Sequence, residues 1–137
     1  IEHESMETHR VFFREIQSQL FLLGSHLATI DPKMKEKLPK FASDNIEDFE
    51  NWIDAADEQT PDLKNFLLPG GHPAVADAHV ARAVCRRAER RCVSLAREQK
   101  IDPVLIKYLN RLSDLLFTAA RLLSHITKTE EIAWKAR

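Results

Sequence analysis

The stretch AHVARAVCRRAERRCVSL, Ala78 to Leu95, decides the fold class, because it reads as one long helix with two different faces. Ala78, Ala81, Cys85, Ala88, Cys92 and Leu95 recur at alternating steps of three and four, the period of a helix face packed against neighbours. At about 100° per residue, Arg82, Arg86 and Glu89 form a second stripe roughly a quarter turn from that seam, at the border of the core. Arg87 and Arg91 project to the far side, where long cations are solvated. A guanidinium beside an apolar seam loses water, and a carboxylate or phosphate that accepts two parallel N–H bonds compensates it. Arg82 and Arg86 are therefore candidates for an anion site, or else for ion pairs with carboxylates of neighbouring helices.

The chain has 137 residues, enough for one domain with a proper core. Its 20 basic and 21 acidic residues leave a formal net charge of -1, so no global field draws nucleic acid or an anionic membrane. Three glycines and six prolines fall between periodic stretches, which predicts an all-α chain of long helices joined by short loops, with no strand pair. Cys85 and Cys92 lie on one helix about 10 Å apart, too far for a disulfide, and read as core thiols with no histidine or third cysteine at ligand spacing. There is no apolar run of membrane-spanning length and no signal peptide, so a cytoplasmic location is expected. The polar opening IEHESMETHR starts without methionine and suggests a piece of something longer.

Outward from the arginine helix, a first amphipathic helix is predicted from about Thr8 to Ala28, with Phe13, Ile16, Leu20, Leu23, Leu27 and Ile30 on its core face. Phe12, Phe21 and Leu22 widen its apolar surface, as a central position or a subunit interface would require. Asp31 to Ala42 reads as a lysine-rich loop interrupted by Pro32 and Pro39. A second helix is expected from Asp44, with Asp44 and Glu47 as a capping box, Ile46, Phe49, Ile53 and Ala56 as its face, Trp52 beside them, and Thr60-Pro61 as its end. The loop that follows carries Phe66-Leu67-Leu68 and then Pro69-Gly70-Gly71, whose backbone is free to turn sharply. Its apolar residues suit either a plug at the bundle end or the lining of a pocket for a flat apolar ligand. His72 and His79 are read as structural or surface residues. The last helix opens at Asp102-Pro103 and repeats Leu105, Leu109, Leu112, Leu116, Ala119, Leu123 and Ile126 as its core face. Nearly opposite run Asn110, Asp114, Phe117 and Arg121, where the phenylalanine needs cover from a ligand or a partner subunit.

Three strings, Phe66 to Gly71 (FLLPGG), Arg82 to Arg91 (RAVCRRAERR) and Leu109 to Asp114 (LNRLSD), together closely resemble the PduO-type ATP:cob(I)alamin adenosyltransferases. The likeness runs from the first helix through Trp52-Ile53-Asp54 to Trp134-Lys135. It implies a five-helix bundle, of which four long helices are counted here, assembling as a homotrimer with active sites between subunits. It implies ATP, Mg²⁺ and a cobalamin as the bound species, and an electron donor or reductase for cob(II)alamin as a partner. By matching positions, Arg86 contacts the triphosphate, Asn110 helps hold the nucleotide, and Arg82 makes a charged pair at the subunit contact. Phe66 lies against the corrinoid and displaces its lower axial ligand, Phe117 lines the same pocket, and Glu89 organises Mg²⁺ or Arg86. Asp114 is nearer to a structural partner.

Such enzymes carry a phosphate loop and a helix with an Asp-Glu pair ahead of the region corresponding to Ile1. The reading is therefore of a single domain, residues 1–137, that lacks that amino-terminal part of the nucleotide site. The expected reaction transfers the 5′-deoxyadenosyl group of ATP to cob(I)alamin. Two other classes suit the same seams: a non-catalytic helical interaction module, and an RNA binder using Arg86 to Arg91, a run that Glu89 dilutes and no aromatic stacking platform accompanies.

Overall fold

The computed structural model describes residues 3–136, and its helices follow from local signals in the sequence. They are α1 (His3–Ala28), α2 (Pro32–Glu36), α3 (Asp44–Asp57), α4 (Pro73–Ala96) and α5 (Pro103–Ile126). The expected all-α helical class holds, and the one β-type pairing among the described residues is an isolated bridge between Leu67 and Ala133. No described helix is long and apolar enough to cross a membrane. The chain divides into two compact units between Ala42 and Ser43.

In the first unit, α1 buries Ile16 and Leu23, two of the residues expected on its core face. Ile30 lies beyond the helix end and is 86% exposed, so the face stops a turn sooner than the periodicity suggested. Phe21, at 82%, is also exposed. The segment expected as a loop contains the short helix α2. Asp31 caps it, accepting from the Lys33 amide at 2.9 Å, with Pro32 in the first turn. This is the same Asp-Pro start signal as at Asp102, and its helix stops after a turn and a half because a lysine-rich segment with no buried residue gives it nothing to pack. His26 Nε2 lies 2.8 Å from the Pro39 carbonyl and ties the end of α1 to the segment after α2.

The second unit is built on α5, against which both α3 and α4 pack. Asp102 caps α5 through the Val104 amide at 3.0 Å, with Pro103 supplying a pre-set φ. Because two helices cover it, its buried surface is wider than the predicted leucine seam. Leu105, Leu109, Leu112 and Ala119 are buried as expected, and Tyr108, Leu115, Ala120 and Leu122 join them. Leu116, Leu123 and Ile126 are only half-buried. Tyr108 meets Phe49 of α3 with ring centroids 4.9 Å apart. Arg111 of α5 reaches Glu50 of α3 at 2.9 Å and Asp114 at 2.6 Å.

At the start of α3 the capping-box expectation fails. Ser43 occupies the cap position in a helical conformation, no side chain caps it, and Asp44 and Glu47 contribute charge in the first turn. The helix also ends at Asp57, ahead of Thr60-Pro61.

Helix α4 begins at Pro73, five residues before the stretch that reveals it. His72 caps it, Nδ1 accepting from the Ala74 amide at 3.1 Å, which gives this histidine the structural role expected of it. Along the predicted seam Cys85 and Cys92 are buried, Ala78, Ala88 and Leu95 are half-buried, and Ala81 is exposed. His79 and Val75 take up the burial that Ala81 does not. Cys85 Sγ donates to the Leu109 carbonyl at 3.2 Å, and burial, with Glu89 adding to it, pushes its thiol up to about 11. Both cysteines are free core thiols.

Candidate functional site

The quarter-turn offset between seam and arginine stripe is what sorts the side chains of α4. Glu89 is half-buried and accepts from Asn110 Nδ2 of α5 at 2.9 and 3.4 Å. An exposed amide of α5 and a half-buried carboxylate of α4 are thus joined across the α4–α5 contact. Arg86 stands one turn before Glu89 and is exposed. With Glu89, Arg90, Val93, Ser94 and Arg97 it lines a groove of about 440 Å³. Three guanidiniums facing one carboxylate give this groove an excess of forked donors, the geometry that holds phosphate oxygens. Arg90 and Arg97 were not singled out from sequence. Their signal was present, since Arg86, Arg90 and Arg97 keep steps of four and seven on one face.

One turn earlier, Arg82 has a different setting. Its guanidinium lies over the Phe117 ring, 5.3 Å from the centroid, within cation–π range. Its Nε is buried with no hydrogen-bond partner among the described residues. His79 meets the same ring at 6.2 Å between centroids, so Phe117 is covered from α4 by an imidazole and a guanidinium. The cover that this phenylalanine needed therefore comes in part from its own chain. His79 is itself buried, its Nδ1 has no hydrogen-bond partner among the described residues, and burial lowers its imidazole below the ordinary 6.5, with Arg82 acting the same way and Glu131 opposing.

Phe117 also lines a cavity of about 400 Å³ whose wall includes Asp62, Leu63, Asp114 and Arg121. Arg121, expected on an outward polar stripe, is 8% exposed. Its Nε donates to Glu131 at 3.1 Å, and its Nη2 donates to Glu131 at 3.2 Å and to the Pro61 carbonyl at 2.6 Å. The stripe fails at this point because the segment after α3 and the segment after α5 both fold over that end of the helix.

Those two segments meet again at Phe66. The Leu68 amide donates to Ile132 at 2.7 Å and the Trp134 amide donates to the Phe66 carbonyl at 2.6 Å, flanking the Leu67–Ala133 bridge. The Phe66 side chain is 79% exposed, with the Trp134 ring edge-on at 6.3 Å. An exposed phenyl on a tied-down loop is not the plug of a bundle end. Gly71 has φ +108°, a conformation that favours glycine, and a Cβ there would sit a tight 3.3 Å from the Thr129 methyl. No ring contact joins Phe66 to Phe117 among the described residues, and no cluster of three metal-ligating side chains occurs among them either. The sequence-selected residues thus form two groups: Arg86, Glu89 and Asn110 at the groove, and Arg82 with Phe117 beside the cavity. Phe66 stands on the loop tied to the tail.

A family described as cobalamin adenosyltransferase matches residues 1–123. The chain is 40% identical over 109 residues to the corrinoid adenosyltransferase of Bacillus subtilis, covering 80% of this chain and 55% of that one. It is 44% identical over 111 residues to the human corrinoid adenosyltransferase MMAB, covering 79% and 44%. A variant PduO-type ATP:corrinoid adenosyltransferase from Lactobacillus reuteri, complexed with cobalamin and ATP, superposes with a TM-score of 0.86 at 31% identity, covering 98% of this chain and 72% of that one. The chain spans about half the length of the curated relatives it matches.

Proposed function

Since the chain belongs to the cobalamin adenosyltransferase family, we propose that it carries part of an ATP:corrinoid adenosyltransferase site, transferring the 5′-deoxyadenosyl group of ATP to cob(I)alamin. The observation that carries this reading is the arginine groove of α4, with Glu89 bonded across to Asn110. In this reaction the cobalt electron pair attacks C5′, the Co–C bond forms, and the C5′–O bond breaks with its electrons leaving on triphosphate. Cobalt is itself the nucleophile, so no general base is required. The protein's work is to hold C5′ in line and stabilise a leaving group of high negative charge. Arg86, supported by Arg90 and Arg97, is suited to the charge, and Asn110 to orienting the nucleotide. Magnesium takes few protein ligands beside substrate phosphates, so a single carboxylate, Glu89, fits its arrival with ATP.

On the corrinoid side, Phe66 would occupy the space of the lower axial ligand. An aromatic ring offers cobalt no donor, which leaves cob(II)alamin four-coordinate and easier to reduce. Phe117 would line the corrinoid pocket from α5. The buried, unpartnered Nε of Arg82 supports its reading as half of a charged pair completed by another subunit. The exposed Phe21 on α1 supports a homotrimer with sites between subunits. A reductase would supply the electron, and a cytoplasmic setting would suit the free thiols.

Phe66→Ala tests the reading. With ATP bound, cob(II)alamin should stay five-coordinate in the variant, and turnover from cob(II)alamin with a reducing partner should collapse. Turnover of pre-formed cob(I)alamin should fall much less, because attack on ATP does not need the ring. With the side chain already exposed, melting should shift little, whereas removal of a core phenylalanine costs about 3–5 kcal/mol. Equal loss in both assays with a large drop in Tm refutes the pocket role.

A further inference from the structure

The segment that follows α5 makes contacts out of proportion to its length, and all of them converge on the loop that bears Phe66. Glu131 pairs with Arg121, a guanidinium 8% exposed that also holds the Pro61 carbonyl at the beginning of that loop. One residue on, Ile132 accepts from Leu68, then Ala133 bridges Leu67, and Trp134 donates to Phe66 while its ring meets the phenyl edge-on. Thr129 packs where Gly71 leaves no side chain. The loop from Pro61 to Gly71 is thus held at its beginning by α5 and along its later half by the tail, and the tail is itself pinned by the same arginine.

We infer that Arg121 and Glu131 are positioning residues for Phe66, their part-buried ion pair docking the tail whose backbone fixes the height and orientation of that phenyl ring. The inference rests on the assignment of Phe66 to the lower face of the corrinoid. It follows from an economy of contacts. A 79% exposed ring has no core to orient it, so only its backbone and its one ring neighbour can set where it points. Both are supplied by residues 132–134. The tail in turn has a single charged anchor among the described residues, Glu131, and Arg121 meets that carboxylate through two nitrogens, which fixes its orientation as well as its position. Neither side chain needs to touch a substrate.

The test uses the full chain with cob(II)alamin and ATP, reading cobalt coordination by absorption and electron paramagnetic resonance. Glu131→Gln removes the ion pair with little change of shape, and Trp134→Pro removes the amide that bonds Phe66 and the ring beside it. Trp134 is half exposed, so the second variant tests the link from tail to ring even where the first fails to fold, and a folded Glu131→Gln that keeps the parent's four-coordinate fraction overturns the role of the ion pair. In both, the four-coordinate fraction should fall, and turnover from cob(II)alamin with reductant should drop about tenfold or more, as misplacement of a substrate-positioning group does. Turnover of pre-formed cob(I)alamin should be largely retained. Phe66→Ala run alongside separates the two levels. If it abolishes the four-coordinate species while Trp134→Pro leaves it intact, the tail does not position the ring and the inference is wrong with the Phe66 assignment standing. If Phe66→Ala also leaves it intact, the assignment falls and the inference with it.

Discussion

Arg86 and Arg87 are chemically identical neighbours, both exposed, and differ only in the direction their helix gives them. Arg86 opens into the groove with Glu89, whereas Arg87 takes no part in its lining. Arg86→Ala should therefore lower kcat by about 10² or more with the fold intact, the usual cost of removing an oriented charge from a developing anion. Arg87→Ala should leave turnover close to the parent, and equal losses at the two positions would refute the groove as the polyphosphate site. At this scale the sequence was informative wherever helical projection sufficed, as at Arg86, Glu89 and Asn110. It failed at Arg121, whose spacing placed it outward. Its burial depends on Glu131 and Pro61, and no periodicity within α5 encodes either of them.

The long helices are legible from their apolar periodicity, and prolines mark the starts of α2, α4 and α5. Asp102-Pro103 announces α5, and the equivalent signals at Asp31-Pro32 and His72-Pro73 start α2 and α4, where no apolar period in the first turn accompanies them. Pairing between residues 66–68 and 132–134 could not be read, since neither segment alternates like a strand and each satisfies the other only after α5 has placed them side by side. Helix α5 carries the consequence of being packed from two directions. Leu115, at 0% exposure, was not on the predicted leucine seam, yet it is among the most enclosed side chains of the chain. Leu115→Ala should cost about 2–5 kcal/mol in urea unfolding, as large-to-small core changes do. Val80→Ala on α4, where the side chain is 62% exposed, should change stability by less than about 0.5 kcal/mol. A Leu115 variant as stable as the Val80 variant would show that α5 is not the centre of this unit.

For the whole molecule the open question is assembly, and the chemistry points to the exposed apolar residues of α1. Phe21 at 82% and Val11 at 58% exposure stand out on a helix that otherwise presents arginine, glutamate and glutamine outward. In a homotrimer they would be covered. The parent protein should then run at three times the chain mass by light scattering at micromolar concentration, and Phe21→Asp should lower that mass without loss of helical circular dichroism. A parent that scatters as a monomer would refute the trimer.

The bridge between Leu67 and Ala133 joins residues far apart in sequence, yet the chain reaches it from the end of α5 in a handful of residues. The entropy of closing that ring is small once α5 is docked, and two backbone bonds, one ion pair and the Phe66–Trp134 ring contact help hold it shut. With so few contacts, this flap is expected to open at a lower free energy than the helices melt. A protease would nick the tail before it touched α4 or α5. On warming, Trp134 fluorescence would change well ahead of the helical signal, and the arginine groove would keep its shape while the phenyl beside the tail had already lost its fixed position.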